Sequence, residues 1–376
     1  MRYVVAIDSF KGSLSSLEAG NAVKDAILDF DENSEVVVLP LADGGEGTVD
    51  ALCHGLGGNM VEASVVGPLM EKVNAKYCIL PDGVTAVIEM ASAAGLTLVE
   101  PEKRNPLKTT TYGVGELIKN AVNRGCRRFI AGIGGSATND GGTGMLSALG
   151  VEFTDKNGNP VPLGAEGLEV LSSISIESLL PEIENCTFRV ACDVNNPLCG
   201  ELGCSRVFAP QKGATDEDIA KMDLWLKNYG EKSKEVFPNA DPEYSGTGAA
   251  GGLGFAFLTY LNAELESGVS IILEENGFEK HVRNADIVIT GEGRLDSQSA
   301  MGKAPVGVAQ IAKKHNKKVI AFAGSVSEDA NALHNYGIDE FYQITPDDMP
   351  LREAMQKDVA YKNLYNTVQK VISSIE

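Results

Sequence analysis

The chain is short of aromatic residues and shorter still of histidine: Phe, Trp and Tyr make up 6% of it, with 1 Trp and 4 His. His54, His281, His315 and His334 stand far apart and match no catalytic-triad or metal-ligand spacing, so histidine carries no assigned role. Positive charge is also scarce: 32 Lys and Arg face 52 Asp and Glu, a net charge of −20. A chain this acidic has no general attraction for nucleic acid or an anionic membrane, and must bind anions through a metal ion, local cations or backbone N–H groups. No apolar run reaches the roughly 18 residues of a membrane span. No basic segment followed by an apolar stretch and a cleavage site precedes the first strand pattern. The phosphate-loop pattern G-x-x-x-x-G-K-[ST] is absent: Gly302-Lys303 lacks the upstream glycine and is followed by Ala304. The 7 cysteines are odd in number and scattered, which argues against a disulfide framework. Cys199 and Cys204 have no histidine near them to complete a zinc site. A reduced, cytoplasmic protein is expected.

Glycine, by contrast, is abundant, at 41 residues, and it clusters at strand ends. Five glycine- and acid-rich segments each follow a hydrophobic strand-like run: Asp8-Ser9-Phe10-Lys11-Gly12-Ser13, Ala42-Asp43-Gly44-Gly45-Glu46-Gly47, Gly134-Gly135-Ser136-Ala137-Thr138-Asn139-Asp140, Asp193-Val194-Asn195-Asn196-Pro197 and Gly291-Glu292-Gly293-Arg294-Leu295-Asp296. Open α/β sheets bind ligands beyond the carboxyl ends of their strands. Gly and Asp are ordinary turn residues, but five such loops bearing charges that no turn requires point to one shared polar site.

Both ends of the chain share one texture and the middle another. Residues 1–41 read as strand, loop, helix and strand; Ser15 with Glu18 three positions later is a capping box for that helix. Residues 60–66, 72–80 and 85–90 read as a meander with turns at Gly67-Pro68 and Pro81-Asp82-Gly83. Helices are expected near 113–123, 216–234 and 249–266. From Ala285 the alternation returns, with a helix at 305–314, strands at 318–323 and 340–344 and a terminal helix over 351–374. The expectation is an α/β protein in which a discontinuous parallel-sheet domain, 1–80 plus 283–376, is interrupted by a mixed α/β domain, 81–282, with the active site in the cleft between them.

The chemistry follows from the loops. Gly132-Ile133-Gly134-Gly135-Ser136-Ala137 fits the dinucleotide pattern G-x-G-x-x-A, with Asp155 placed as a ribose acid, and a nicotinamide-dependent oxidoreductase is one reading. The run continues, however, with Thr138-Asn139-Asp140-Gly141-Gly142, which would break a fingerprint helix. A longer loop offering Ser136, Thr138, Asp140 and the N–H groups of Gly134 and Gly135 suits phosphate oxygens better. The acids Asp8, Asp43, Glu46, Asp140, Asp193, Glu292 and Asp296 all fall at strand ends. Mg²⁺ takes one or two carboxylates while keeping waters and phosphates, which designates Asp43, Glu46, Glu292 and Asp296 as metal candidates. Lys11, Lys212, Arg294 and Lys303 supply local positive charge, and Ser9 and Asn195 add polar contacts. Acids and cations gathered this way suit phosphoryl transfer, where catalysis is mostly positioning and charge neutralisation. A carboxylate must accept the proton of the attacking hydroxyl; Asp193 is the first candidate, with Asp8 and Lys11 as its catalytic companions. A non-catalytic sensor of sugar acids is a third reading.

Seven segments together resemble the bacterial glycerate kinases of type I: residues 8–15, 43–48, 132–142, 192–200, Phe208-Ala209-Pro210-Gln211-Lys212-Gly213, Gly248-Ala249-Ala250-Gly251-Gly252, and 289–298. They lie in collinear order over the whole chain. The resemblance implies ATP-dependent phosphorylation of D-glycerate with Mg²⁺, in a protein whose interrupted domain is flavodoxin-like. Ala304 departs from the pattern where Thr is common. The family leans toward the 2-hydroxyl and 2-phosphoglycerate, with 3-phosphorylation as the alternative. A monomer or a homodimer, with small-molecule substrates and neither nucleic-acid nor membrane partners, is expected.

Overall fold

The computed structural model describes residues 1–42, 44–45, 47–297, 299 and 303–375. Its strands in chain order are β1 (Arg2–Ile7), β2 (Glu35–Val38), β3 (Asn59–Val66), β4 (Lys72–Ile79), β5 (Thr85–Glu89), β6 (Arg128–Gly132), β7 (Glu152–Thr154), β8 (Ser173–Ser175), β9 (Thr187–Ala191), β10 (Glu264–Glu266), β11 (Ile287–Leu295), β12 (Lys318–Val326) and β13 (Glu340–Gln343). The chain divides into two compact units. The first comprises Met1–Asp43, Asp50–Gly57 and Val269–Glu376; the second comprises Gly44–Val49 and Gly58–Gly268.

The first unit is a five-stranded sheet in the order β13-β12-β11-β1-β2, every neighbouring pair parallel. Counted within the unit, that is 2-1-3-4-5, the doubly wound flavodoxin-like order, whose switch point lies between its first and third strands. Residues alternate across β1: Tyr3, Val5 and Ile7 join one core cluster with the helices Ser16–Phe30 and Lys357–Ile372. Val4 and Ala6 are equally buried, and the helix Ala304–Lys314 packs on β11 and β12. A sheet covered on both faces reads as an unbroken apolar run, which is why Tyr3–Ile7 shows no polar alternation.

The first helix is set by its capping box, with the Ser15 side chain accepting from the Glu18 N–H and the Glu18 carboxylate accepting from the Ser15 N–H. Ser16 then ties two strand ends together. Its hydroxyl donates to the Ile7 carbonyl at 2.5 Å and accepts from the Leu41 N–H at 2.7 Å.

The second unit carries a six-stranded mixed sheet, β10-β9-β6-β5-β4-β3. The β3–β4–β5 meander is antiparallel, and β5, β6, β9 and β10 run parallel. Its core includes Phe129 stacked on Phe188 with ring centroids 4.8 Å apart. A small antiparallel hairpin, β7–β8, stands apart from this sheet.

Several local expectations change. The helix expected over 249–266 ends at Tyr260, because Asn262 turns into left-handed backbone at φ 48° and leads into β10. That helix also has Ala250, Gly251 and Gly252 in left-handed geometry near its start. The terminal helix is two, Leu351–Ala354 and Lys357–Ile372, since Gln356 is extended at ψ 131°. The helices Gly268–Glu275 and Phe278–Arg283 and the β7–β8 hairpin were not expected. Cys126, Cys186, Cys192, Cys199 and Cys204 are free thiols, but Cys53 and Cys78 are disulfide-bonded, correcting the expectation of a wholly reduced chain. An odd and scattered cysteine set argues against a framework of bridges, not against every bridge. No helix among the described residues is long and apolar enough to cross a membrane.

The capping box gives a direct test. Ser15→Ala removes the acceptor for the Glu18 N–H and should lower stability by about 1 kcal/mol, the usual worth of an N-cap side chain, read as a drop in the urea midpoint at unchanged slope. An unchanged midpoint would show that the cap contributes nothing.

Candidate active site

At the carboxyl ends of β1, β11, β12 and β13 the first unit holds a cavity of about 640 Å³. Its floor is built by register. Ile7 pairs with Gly291, so the next residues, Asp8 and Glu292, stand side by side at the switch point, and both line the cavity. The strands approach closely here: a Cβ at Gly291 would meet the Phe322 carbonyl oxygen at 2.0 Å. Asp8 is 7% exposed and accepts from the Ser9 N–H at 2.7 Å. Lys11, exposed, lies in the same loop. Ser13 is also among the lining residues, and its hydroxyl is buried with no hydrogen-bond partner.

Glu292 is held by two groups. The Ser299 hydroxyl donates to it at 2.6 Å and the Lys303 ammonium lies 3.6 Å away. Burial raises its pKa above the ordinary carboxylate value, Ser299 and Lys303 pull it down, and the neighbouring Asp296 charge adds to the rise. Asp296 pairs with Arg294 at 3.4 Å and accepts from the Ser299 N–H at 3.3 Å. Arg294 and Lys303 keep much of their side chains exposed, at 67% and 41%, so each can still reach a ligand. Among the described residues no group of three or more His, Cys, Asp or Glu is gathered in the manner of a metal cage. Mg²⁺ needs none, since it binds through one or two carboxylates plus phosphates. Glu292 and Asp296, coupled and lining one cavity, suit that role by donor chemistry. Asp43 and Glu46 lie outside the described residues.

The other expected residues gather in the second unit, at the carboxyl ends of β6 and β9. Gly44 and Gly45 pack there. Gly44 has φ +83°, and a Cβ on it would stand 2.4 Å from the Ala191 Cβ; a Cβ at Gly134 would stand 3.0 Å from the Gly45 Cα. At Gly44 only glycine fits, since its backbone is left-handed and the approach is under 3.0 Å. Residues 133–142 form a long loop, and the helix Thr143–Ala148 starts only after it, unlike a dinucleotide fingerprint, whose glycine turn opens straight into a helix. Ser136 is 8% exposed, and Thr138 and Asp140 have no exposed surface. Gly134 is half-buried and Gly135 exposed. Asp140 accepts from the Thr111 N–H at 2.8 Å, the Thr111 hydroxyl at 2.9 Å and the Gly142 N–H at 3.1 Å. Burial nonetheless raises its pKa against those donors.

Lys212 is 2% exposed, and its ammonium donates to the Ser136 hydroxyl and the Thr138 carbonyl, both at 2.7 Å. Burial brings its pKa down to about 8, opposed by Cys204 and Asp140. Asp193 and Asn195 are exposed on the loop after β9. Asp193 accepts from the Gly268 N–H at 3.2 Å, and Asn195 accepts from the Ser245 hydroxyl at 2.9 Å.

The model of the glycerate kinase family matches residues 3–376. The chain belongs to the glycerate kinase family. It is 45% identical to the glycerate 2-kinase of Escherichia coli (strain K12), over 100% of this chain and 98% of that protein. It is likewise 45% identical to the glycerate kinase of Bacillus subtilis (strain 168), over 100% and 98%. A crystal structure of a provisionally named glycerate kinase 2 from Salmonella typhimurium LT2 superposes with a TM-score of 0.91 at 43% identity, covering 100% of this chain and 98% of that one. Membership makes the chain a kinase and sets aside the oxidoreductase and sensor readings.

Sequence reasoning passed over the residues that hold this kinase's charged groups in place. Ser299 braces Glu292 from three residues past the Gly291–Asp296 segment, and Thr111 braces Asp140 from a run of three threonines, Thr109–Thr111, at most 1% exposed. Three consecutive polar residues beside a helix start were the available signal.

Lys212 should leave a mark on stability. A free lysine titrates near ~10.4, whereas folded Lys212 titrates at about 8. Between those values the unfolded chain holds a proton that the folded chain has released, so Lys212 makes stability rise with pH across that window. Below pH 8 both states are protonated and the cost of burying the charge is complete. Comparison of the wild type with Lys212→Met by urea denaturation from pH 7 to 10 should show the balance moving toward the wild type as pH rises. A pH-independent difference would show an unperturbed lysine.

Proposed function

We propose that this enzyme transfers the γ-phosphoryl group of ATP to the C2 hydroxyl of D-glycerate, releasing 2-phospho-D-glycerate and ADP. The observation that carries the reading is the switch-point cavity in which Asp8 and Glu292 meet the cations Lys11, Arg294 and Lys303. In a chain of net charge −20, such local cations are what a polyphosphate requires. The similarity to glycerate kinases supports these substrates, and the similarity to the Escherichia coli glycerate 2-kinase supports attack by the 2-hydroxyl.

In the transfer, the glycerate oxygen forms a bond to the γ-phosphorus as the bond from that phosphorus to the bridging oxygen breaks; the hydroxyl proton passes to a carboxylate, and ADP leaves. Asp193 is the proposed base, as an exposed carboxylate closing an apolar strand, with Asn195 beside it on the loop to orient substrate. Lys11, Ser9, Arg294 and Lys303 are assigned to the phosphates, and Asp8 to positioning at the switch point. In the second unit, Lys212, Ser136 and the N–H groups of Gly134 and Gly135 are assigned to anion binding. Thr138 and Asp140, being enclosed, are assigned to shaping the loop that carries them. Glu292 and Asp296 are the proposed Mg²⁺ ligands, with Asp43 or Glu46 as the alternatives; a bound Mg²⁺ would neutralise charge on the transferring group.

The activity is tested by ADP release with ATP, Mg²⁺ and D-glycerate, with the product fed to enolase. Direct consumption by enolase identifies 2-phosphoglycerate, and a signal that needs a mutase makes the enzyme a 3-kinase. EDTA should abolish turnover, and full activity in metal-free buffer would remove the metal role.

Asp193→Asn keeps shape and removes basicity, so turnover should fall by about 10²–10⁴ with substrate binding largely intact, while Lys11→Ala should cost at least about tenfold in kcat or KM. A fully active Asp193→Asn enzyme would transfer the role of base to Asp8.

A further inference from the structure

The polar floor accounts for only part of the cavity in the first unit. The other wall is apolar: Phe10 from the loop after β1, then Ile344, Pro346, Met349, Leu351 and Met355 from the segment after β13. Leu351 is 73% exposed and Met355 40% exposed, large apolar surface left open beside a charged floor. D-glycerate cannot use such a wall, because each of its three carbons carries oxygen and it has no apolar face. A ligand that fills both halves has an anionic end and a flat, weakly polar end, and a volume of about 640 Å³ is in the range that holds such a molecule.

We infer that this cavity is the nucleotide site, with the adenine of ATP against the Ile344–Met355 wall and its phosphates toward Lys11, Arg294 and Lys303. The inference rests on the kinase reading and assigns one substrate to one unit. One further observation supports it. The segment carrying the apolar wall is built in advance: Gln343 accepts from the Val326 N–H at 3.1 Å and donates to the Thr345 carbonyl at 2.9 Å and to Asp347 at 3.1 Å. These bonds fix the turn out of β13 against the end of β12, so less ordering remains when a ligand binds.

The test uses the full chain and two independent readouts. Irradiation of wild-type protein with 8-azido-ATP should label the tryptic peptides Val319–Arg352 or Glu353–Lys357. Separately, a fluorescent N-methylanthraniloyl-ADP should bind the wild type, be displaced by ATP and not by D-glycerate, and bind the double variant Leu351→Ala, Met355→Ala about tenfold more weakly. That variant should raise the KM for ATP by a similar factor and leave the KM for D-glycerate unchanged. Label on peptides of residues 58–268, unchanged nucleotide affinity in the variant, displacement by D-glycerate, or no nucleotide binding at all would each overturn the assignment. If the nucleotide binds and labels here but D-glycerate is never phosphorylated, the site stands and the substrate reading falls; if D-glycerate is phosphorylated while the label goes elsewhere, only the site assignment falls.

Discussion

Parallel pairing of β1 with β11 is the constraint on which the first unit depends. It joins Tyr3 to Ile287 and Ile7 to Gly291, strands separated by most of the chain. The Asp286 carboxylate accepts from the Arg2 N–H at 2.7 Å at one end, and the Gly291 carbonyl accepts from the Asp8 N–H at 2.9 Å at the other. Closing so long a connection is less expensive than its length suggests, since each doubling adds only about 0.6 kcal/mol of loop entropy. In return, the sheet acquires its switch point and the site acquires Asp8 next to Glu292.

Charge is the second theme. A strongly acidic protein that handles anions must hold its few useful cations without neutralising them completely. In the first unit Lys303 and Arg294 each stand near a carboxylate, at 3.6 and 3.4 Å, yet retain exposed side chains. In the second unit Lys212 takes the opposite course: it is enclosed and satisfied by a hydroxyl and a carbonyl rather than by a carboxylate. Neutral acceptors solvate an ammonium without cancelling its charge, and burial then lowers its pKa. A lysine in that state responds strongly to a nearby anion, whose charge would raise its pKa again.

Much of the fold was legible because its signals are local. The Ser15–Glu18 capping box, the Pro81-Asp82-Gly83 turn in the β4–β5 connection and the apolar run of β1 each appear in the structure where neighbouring residues place them. Failures fell where distant packing overrode local pattern. The helix from Ala249 opens with a left-handed stretch in which a Cβ on Gly251 would stand 2.1 Å from the Thr138 carbonyl oxygen, a contact between segments more than a hundred residues apart. The terminal helix was broken at Met355–Gln356 although its apolar periodicity runs on.

The division is the same at the site. Sequence alone determined which residue types end each strand, hence the acids, the lysines and the glycines, because strand-end composition is a local property. Family membership was also written there, in seven collinear segments. Only the tertiary structure decided which of those residues share a surface: Asp8 with Glu292 through strand register, Lys212 with Ser136 and Thr138 through burial, and an apolar wall from Ile344 to Met355 that no glycine motif announces. Register and burial depend on pairings across the whole chain, and a linear pattern does not contain the distances that pairing sets.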